Sequence, residues 1–146
     1  MADIHELTLA LDLRDELPDA EVAELLWHLG LGARPETPVI VPSFGYEDED
    51  DPAPLLADHG AAHKVGGALT SALVRRPADG WALASRQEIH PDQFDEVGAL
   101  LTWLAARATD RHARPGDGVH LGWIRFYDSD RPEPLVARDG TVEWPS

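Results

Sequence analysis

Residues 5–13 read HELTLALDL and alternate without a break. Leu7, Leu9, Leu11 and Leu13 fall on one side; Glu6, Thr8, Ala10 and Asp12 fall on the other. A period of two makes this a half-buried strand, with one side against a core and one facing water. Whatever the chain folds into must therefore offer a layer to cover the leucines.

The next segments supply that layer. In LPDAEVAELLWHLGLG, Pro18 suits a first helical turn, and Asp19 and Glu21 suit the positive end of its dipole. Val22, Leu25, Leu26 and Leu29 follow helical spacing, so a helix is predicted over 19–30, ended by Gly30 or Gly32. PVIVP, 38–42, reads as a short second strand, held to a sheet edge by prolines that cannot donate. Residues 44–66 form a long irregular segment. Then GALTSALVRR and WALASRQEIH are two strands around the turn signal Asp79-Gly80. A second helix is predicted over 91–108, with Phe94, Val97, Leu101, Leu104 and Ala108 inward. VHLGWIRFYD is an aromatic, β-branched strand, and PLVARDGTVEW a hairpin around Asp139-Gly140.

This order predicts an α+β fold: a ferredoxin-like βαββαβ core with a mainly antiparallel sheet and both helices on one face. It is expected to be one domain, 1–146, with the acidic loop 44–66 after the second strand and a C-terminal hairpin over 132–146. Such a fold hosts many activities and specifies none.

Composition narrows the partners. Twenty-seven Asp and Glu face twelve Lys and Arg, a net charge of −15, and Lys64 is the only lysine. That surface repels nucleic acid and anionic membranes and favours solubility and basic partners. There is no cysteine, hence no disulfide framework, thiolate zinc site or thiol nucleophile, which fits a reducing cytoplasm. The N-terminus lacks a basic segment followed by an apolar run, and no apolar stretch has the length of a membrane span.

The motifs of common chemistries are missing. GLGARP opens like a dinucleotide loop but has Pro35 at the third glycine position and follows a helix rather than a strand. VPSFG has Val41 where a nucleophile elbow needs glycine. EDEDD, Glu47 to Asp51, fails as a calcium loop: counting from Asp48 puts Ala53 at position six and His59 at twelve. It reads instead as a solvated run of like charges. His59 and His63 would share a face on a helix and bind a metal there, but no third ligand can be placed and the segment is glycine-rich. Asp128 and Asp130 end the aromatic strand, either as a Mg²⁺ pair or as a turn; Asp and Ser favour the turn. No cofactor and no metal are expected.

The aromatic residues carry the remaining signal. Trp27 and Trp103 each lie outside the apolar stripe of their helix. Either the loop 44–66 folds over them, with Arg107 stacked on Trp103, or they meet another protein. On the strand 119–127, Leu121, Trp123, Arg125 and Tyr127 share one side; His120, Gly122, Ile124 and Phe126 share the other. With Gly122 admitting a helix, the second set is expected to face the core. Trp123, Arg125 and Tyr127 then lie on the open side of the sheet, to be covered by the hairpin through Trp144 or by another chain. The favoured function is a non-enzymatic protein-binding or regulatory module, inhibitor- or immunity-like, partnered by another protein or by a second copy as a homodimer. The alternative is a small-molecule binder or enzyme in which Arg125 holds an anion between Trp123 and Tyr127.

Overall fold

A computed structural model describes residues 3–41, 53–77, 80–114, 116 and 118–145. The expected strand at His5–Leu13 is present as β1, and all four leucines are buried. Helix α1 spans Asp19–His28. A two-residue strand, β2 (Gly60–Ala61), precedes β3 (Ala68–Arg76) and β4 (Gly80–Ile89). A 3-10 turn at Pro91–Gln93, capped by His90, leads into α2 (Phe94–Arg107). Then come β5 (Ala113–Arg114), β6 (Gly118–Phe126), β7 (Glu133–Arg138) and β8 (Thr141–Val142).

The ferredoxin-like βαββαβ core is not what forms. The protein is dominated by one eight-stranded sheet ordered β2-β3-β4-β1-β6-β7-β8, with β5 on β6, and all the strand pairs are antiparallel. The difference starts at residues 38–41. These form no strand, so the strand expected directly after α1 is absent. Their amides go elsewhere: the carboxylate of Glu24 on α1 accepts from Val39 N, from Ile40 N at 2.6 Å and from Val41 N at 2.9 Å. A strand there would need those same donors for its ladder.

Glu24 is fully buried, and His28 one turn on donates to it from Nε2 at 3.0 Å. Burial alone would raise the carboxyl's pKa; the three amides and His28 outweigh it and hold Glu24 below its ordinary value. The same device recurs at the far end of the connection. Glu88 on β4 accepts from the amides of His63, Lys64 and Val65 at 2.6–3.1 Å. Two carboxylates, each taking three consecutive amides, thus fasten both ends of the segment between α1 and β3.

The expected loop 44–66 is described only from residue 53 onward, and the acidic run Glu47 to Asp51 lies outside the described residues. Its later part is not a solvated excursion. Leu56 is completely buried in the core and donates its amide to His28 O at 2.7 Å. Residue 58 exchanges hydrogen bonds with the Gln87 side chain.

Both helices bury side chains in one cluster with the leucine side of β1: Leu25 and Leu29 from α1, Val97, Leu100, Leu101 and Leu104 from α2. The C-terminal hairpin turns at Asp139 and Gly140, with φ of 53° and 77°, the left-handed pair a tight two-residue turn requires. Trp144 then stacks on Phe94 of α2, centroids 4.1 Å apart and planes 2° apart. The hairpin therefore extends the sheet and reaches towards the helices. No helix among the described residues is long and apolar enough to cross a membrane.

Candidate functional site: the open side of the sheet

With helices on the leucine side, the register fixes what the other side presents. Thr8 lies opposite Trp123 and Arg86; Ala10 lies opposite Ala84, which faces Ala72; Glu6 lies opposite Arg125 and Glu88. Alternation places all these side chains on the open side.

β6 does not alternate as its sequence suggests. Its pairing with β7 shifts between His120 and Gly122, leaving Leu121 as an extra residue. This bulge resets the phase. Leu121 and Ile124 are both buried, although an unbroken strand would send them to opposite sides. The expected division is therefore wrong for Leu121, which joins the core, and for His120, which joins the open side with its ring 5.1 Å from Trp123. Gly122 does not admit a helix. It admits β1: a Cβ there would lie 1.9 Å from Thr8 O, at φ +155°.

Trp123 is 45% exposed. The expected cover by the hairpin does not occur, because Trp144 sits at α2. Around Trp123 the charges are answered within the surface. Arg125 donates from Nε to Glu6 at 2.8 Å, from Nη1 to Ser129 O at 2.6 Å and Tyr127 O at 3.2 Å, and from Nη2 to Val65 O at 3.4 Å. Arg86 Nε donates to the other Glu6 oxygen at 2.6 Å and its Nη1 to Ala68 O. Burial opposes ionisation of Glu6, and the two guanidiniums overcome it, lowering its pKa. Asp12 is likewise held low, first by Arg111 at 2.8 Å and then by Arg76 at 3.0 Å. Lys64 lies 5.9 Å from the centre of the Tyr127 ring. An anion held by Arg125 between Trp123 and Tyr127 would have to displace these bonds, so the small-molecule reading loses its anchor.

The remaining candidates are dispersed. Trp27 is 7% exposed, not outward-facing. The stripe Val22, Leu25, Leu26 and Leu29 predicted the wrong centre for α1, whose buried side is Glu24, Leu25, Trp27 and His28. Trp103 is half-buried against the core, with the Arg107 guanidinium 5.1 Å from its ring centre, and Arg107 reaches Glu21 of α1 at 3.5 Å. His59 and His63 flank β2 rather than sharing a helix. The His59 ring meets Leu29 O at 3.1 Å, and His63 is exposed. Asp128 and Asp130 are exposed in the turn after β6. Among the described residues no three His, Asp or Glu groups are placed to hold a metal.

One groove of about 480 Å³ lies between α2 and the C-terminal hairpin, lined by Phe94, Gly98, Thr102, Thr141 and Trp144 among others. Among the described residues that line it, Asp95 alone is ionisable. Sequence reasoning missed the two carboxylate fasteners. Their signal was weak: a lone Glu24 beside an apolar stripe, and Glu88 following Arg86 on one side of β4. No family model matches the chain, no curated protein is detectably similar to it, and no solved structure matches its fold.

Proposed function

We propose that the chain is a non-enzymatic protein-binding module, regulatory in the manner of small inhibitor or immunity proteins, that docks a protein on the open side of its sheet. The observation that carries this is Trp123, 45% exposed beside His120 on a surface whose Glu6, Asp12 and Glu88 are each already paired. Tryptophan standing in water is unfavourable by its apolar area, and tryptophan is enriched where interfaces concentrate their energy. Internally paired charges let such a surface be covered without stranding an ion. The net charge of −15 argues against nucleic acid and anionic membrane as what is bound. The same proposal places the protein in the cytoplasm, where a chain without cysteine suits the reducing milieu.

The test is a photo-crosslinking residue at position 123, compared with one at the exposed Ala106 of α2, in cells producing the full chain. Protein adducts from position 123 and none from 106 are expected. Equal adducts from both, or none from 123, would overturn the assignment of this side.

A further inference from the structure

Resting on the reading of the open side as a docking surface, we infer that its occupant is a second copy of this chain, set sheet against sheet across a two-fold axis. Charge points there first. The strand positions of this side carry the acids Glu6, Asp12 and Glu88 and the arginines Arg76, Arg86, Arg125 and Arg138, the last paired with Glu143 just beyond β8. The chain as a whole has 27 acidic and 12 basic side chains. The open side is thus about neutral on a strongly acidic molecule. Two such molecules repel in most orientations, and facing each other through this side keeps their carboxylates furthest apart. A basic partner would be drawn to the acidic remainder instead.

Relief supports the same occupant. Ala72, Ala84 and Ala10 stand side by side across β3, β4 and β1, and the next strand, β6, raises Trp123. A low row and a projecting ring on one surface are self-complementary under a two-fold axis, which also closes the assembly at two copies.

Area is sufficient. Five neighbouring strands about 4.8 Å apart, with about nine residues rising about 3.3 Å each, cover on the order of 700 Å² in projection, less the end at Glu6, Arg86 and Glu88 over which residues 63–65 already lie. A stable interface needs about 800 Å² of accessible surface per partner, and a corrugated surface exceeds its projection.

The experiment is sedimentation equilibrium on the full chain at about 100 µM, well above the dissociation constant of an ordinary dimer, with Trp123→Asp and Ala84→Arg as separate variants. Both sites are exposed, and circular dichroism verifies that the variants stay folded. A wild-type dimer is expected, weakened at least about 100-fold by either substitution, because each leaves an unpaired charge in the contact. Raising salt from about 20 to 300 mM should tighten the dimer by screening the repulsion between copies. A dimer that salt weakens, or that both substitutions leave intact, overturns the inference. A wild-type monomer overturns it too; if position 123 then crosslinks a different protein in cells, the docking surface stands and only its occupant was wrong. A monomer with no adduct at 123 ends both.

Discussion

Replacing Glu24 with alanine should be among the most damaging single changes in this protein. The side chain is fully buried, accepts from three consecutive backbone amides, and pairs with His28. Hydrogen bonds to a charged group contribute about 1.5–3 kcal/mol each. They do not simply add, and the Val39 amide belongs to a residue 56% exposed, so water can replace its bond. Ile40 is 7% exposed and has no such recourse. Removing one partner of a buried charged cluster costs about 3–5 kcal/mol, and about 4 kcal/mol suits this site. With a urea slope of about 2 kcal/mol per molar, the unfolding midpoint should fall by about 2 M with the slope unchanged. Glu88→Ala is the internal control. It also frees three amides, but those of His63 and Lys64 are at the surface, where water solvates them, so a loss on the order of 1 kcal/mol is expected. The number of amides is the same in both, so the difference reports burial together with the bond to His28. A Glu24→Ala midpoint shift no larger than that of Glu88→Ala would refute the reasoning, and would mean residues 39–41 are held by something other than the carboxylate.

Burial keeps the folded pKa of His28 below its ordinary 6.5 despite Glu24 beside it, so as pH falls through 6.5 the unfolded chain takes up the proton first and stability declines. Glu24, held below 4.5 in the fold, contributes fully above 4.5 and loses that contribution as pH falls further through its folded value. His5 and His112 are lowered as well, chiefly by burial, so the check is differential: His28→Gln should flatten the decline in urea midpoint between about pH 7.5 and 5 relative to wild type, and an unchanged slope would count against it. Gly122→Ala would put a methyl group 1.9 Å from Thr8 O at φ +155°; a loss on the order of 3 kcal/mol is expected, read from soluble yield and urea midpoint, and a wild-type midpoint would contradict the bulge. Trp144→Ala removes the ring stacked on Phe94; about 1–2 kcal/mol should be lost, with faster amide exchange in Thr141 and Val142, and unchanged exchange there would show that the stack does not hold the hairpin.

Local pattern determined much of this protein from its sequence alone. The alternation of Leu7 to Leu13, the stripe of α2, the β3–β4 pair and the turn at Asp139-Gly140 all appear where their spacing puts them, because each rests on interactions within a few residues along the chain. What the tertiary structure alone decided involves distant partners. Residues 38–41 have strand composition, but Glu24, some sixteen positions away, takes the amides a ladder would need. The strand expected there is absent, and one eight-stranded antiparallel sheet dominates the fold. Trp27 is buried although it lies outside the apolar stripe of α1. On β6 the bulge at Leu121 is invisible until β7 supplies its register, and it moves His120 beside Trp123. Arg125 looked free for a ligand because its partner, Glu6, lies 119 residues earlier and meets it only across β1. Period reveals which residues share a side of a strand only while the strand is regular and only when its neighbours are known; the open side of this sheet, with Trp123 standing out of it, is a property of the assembled register.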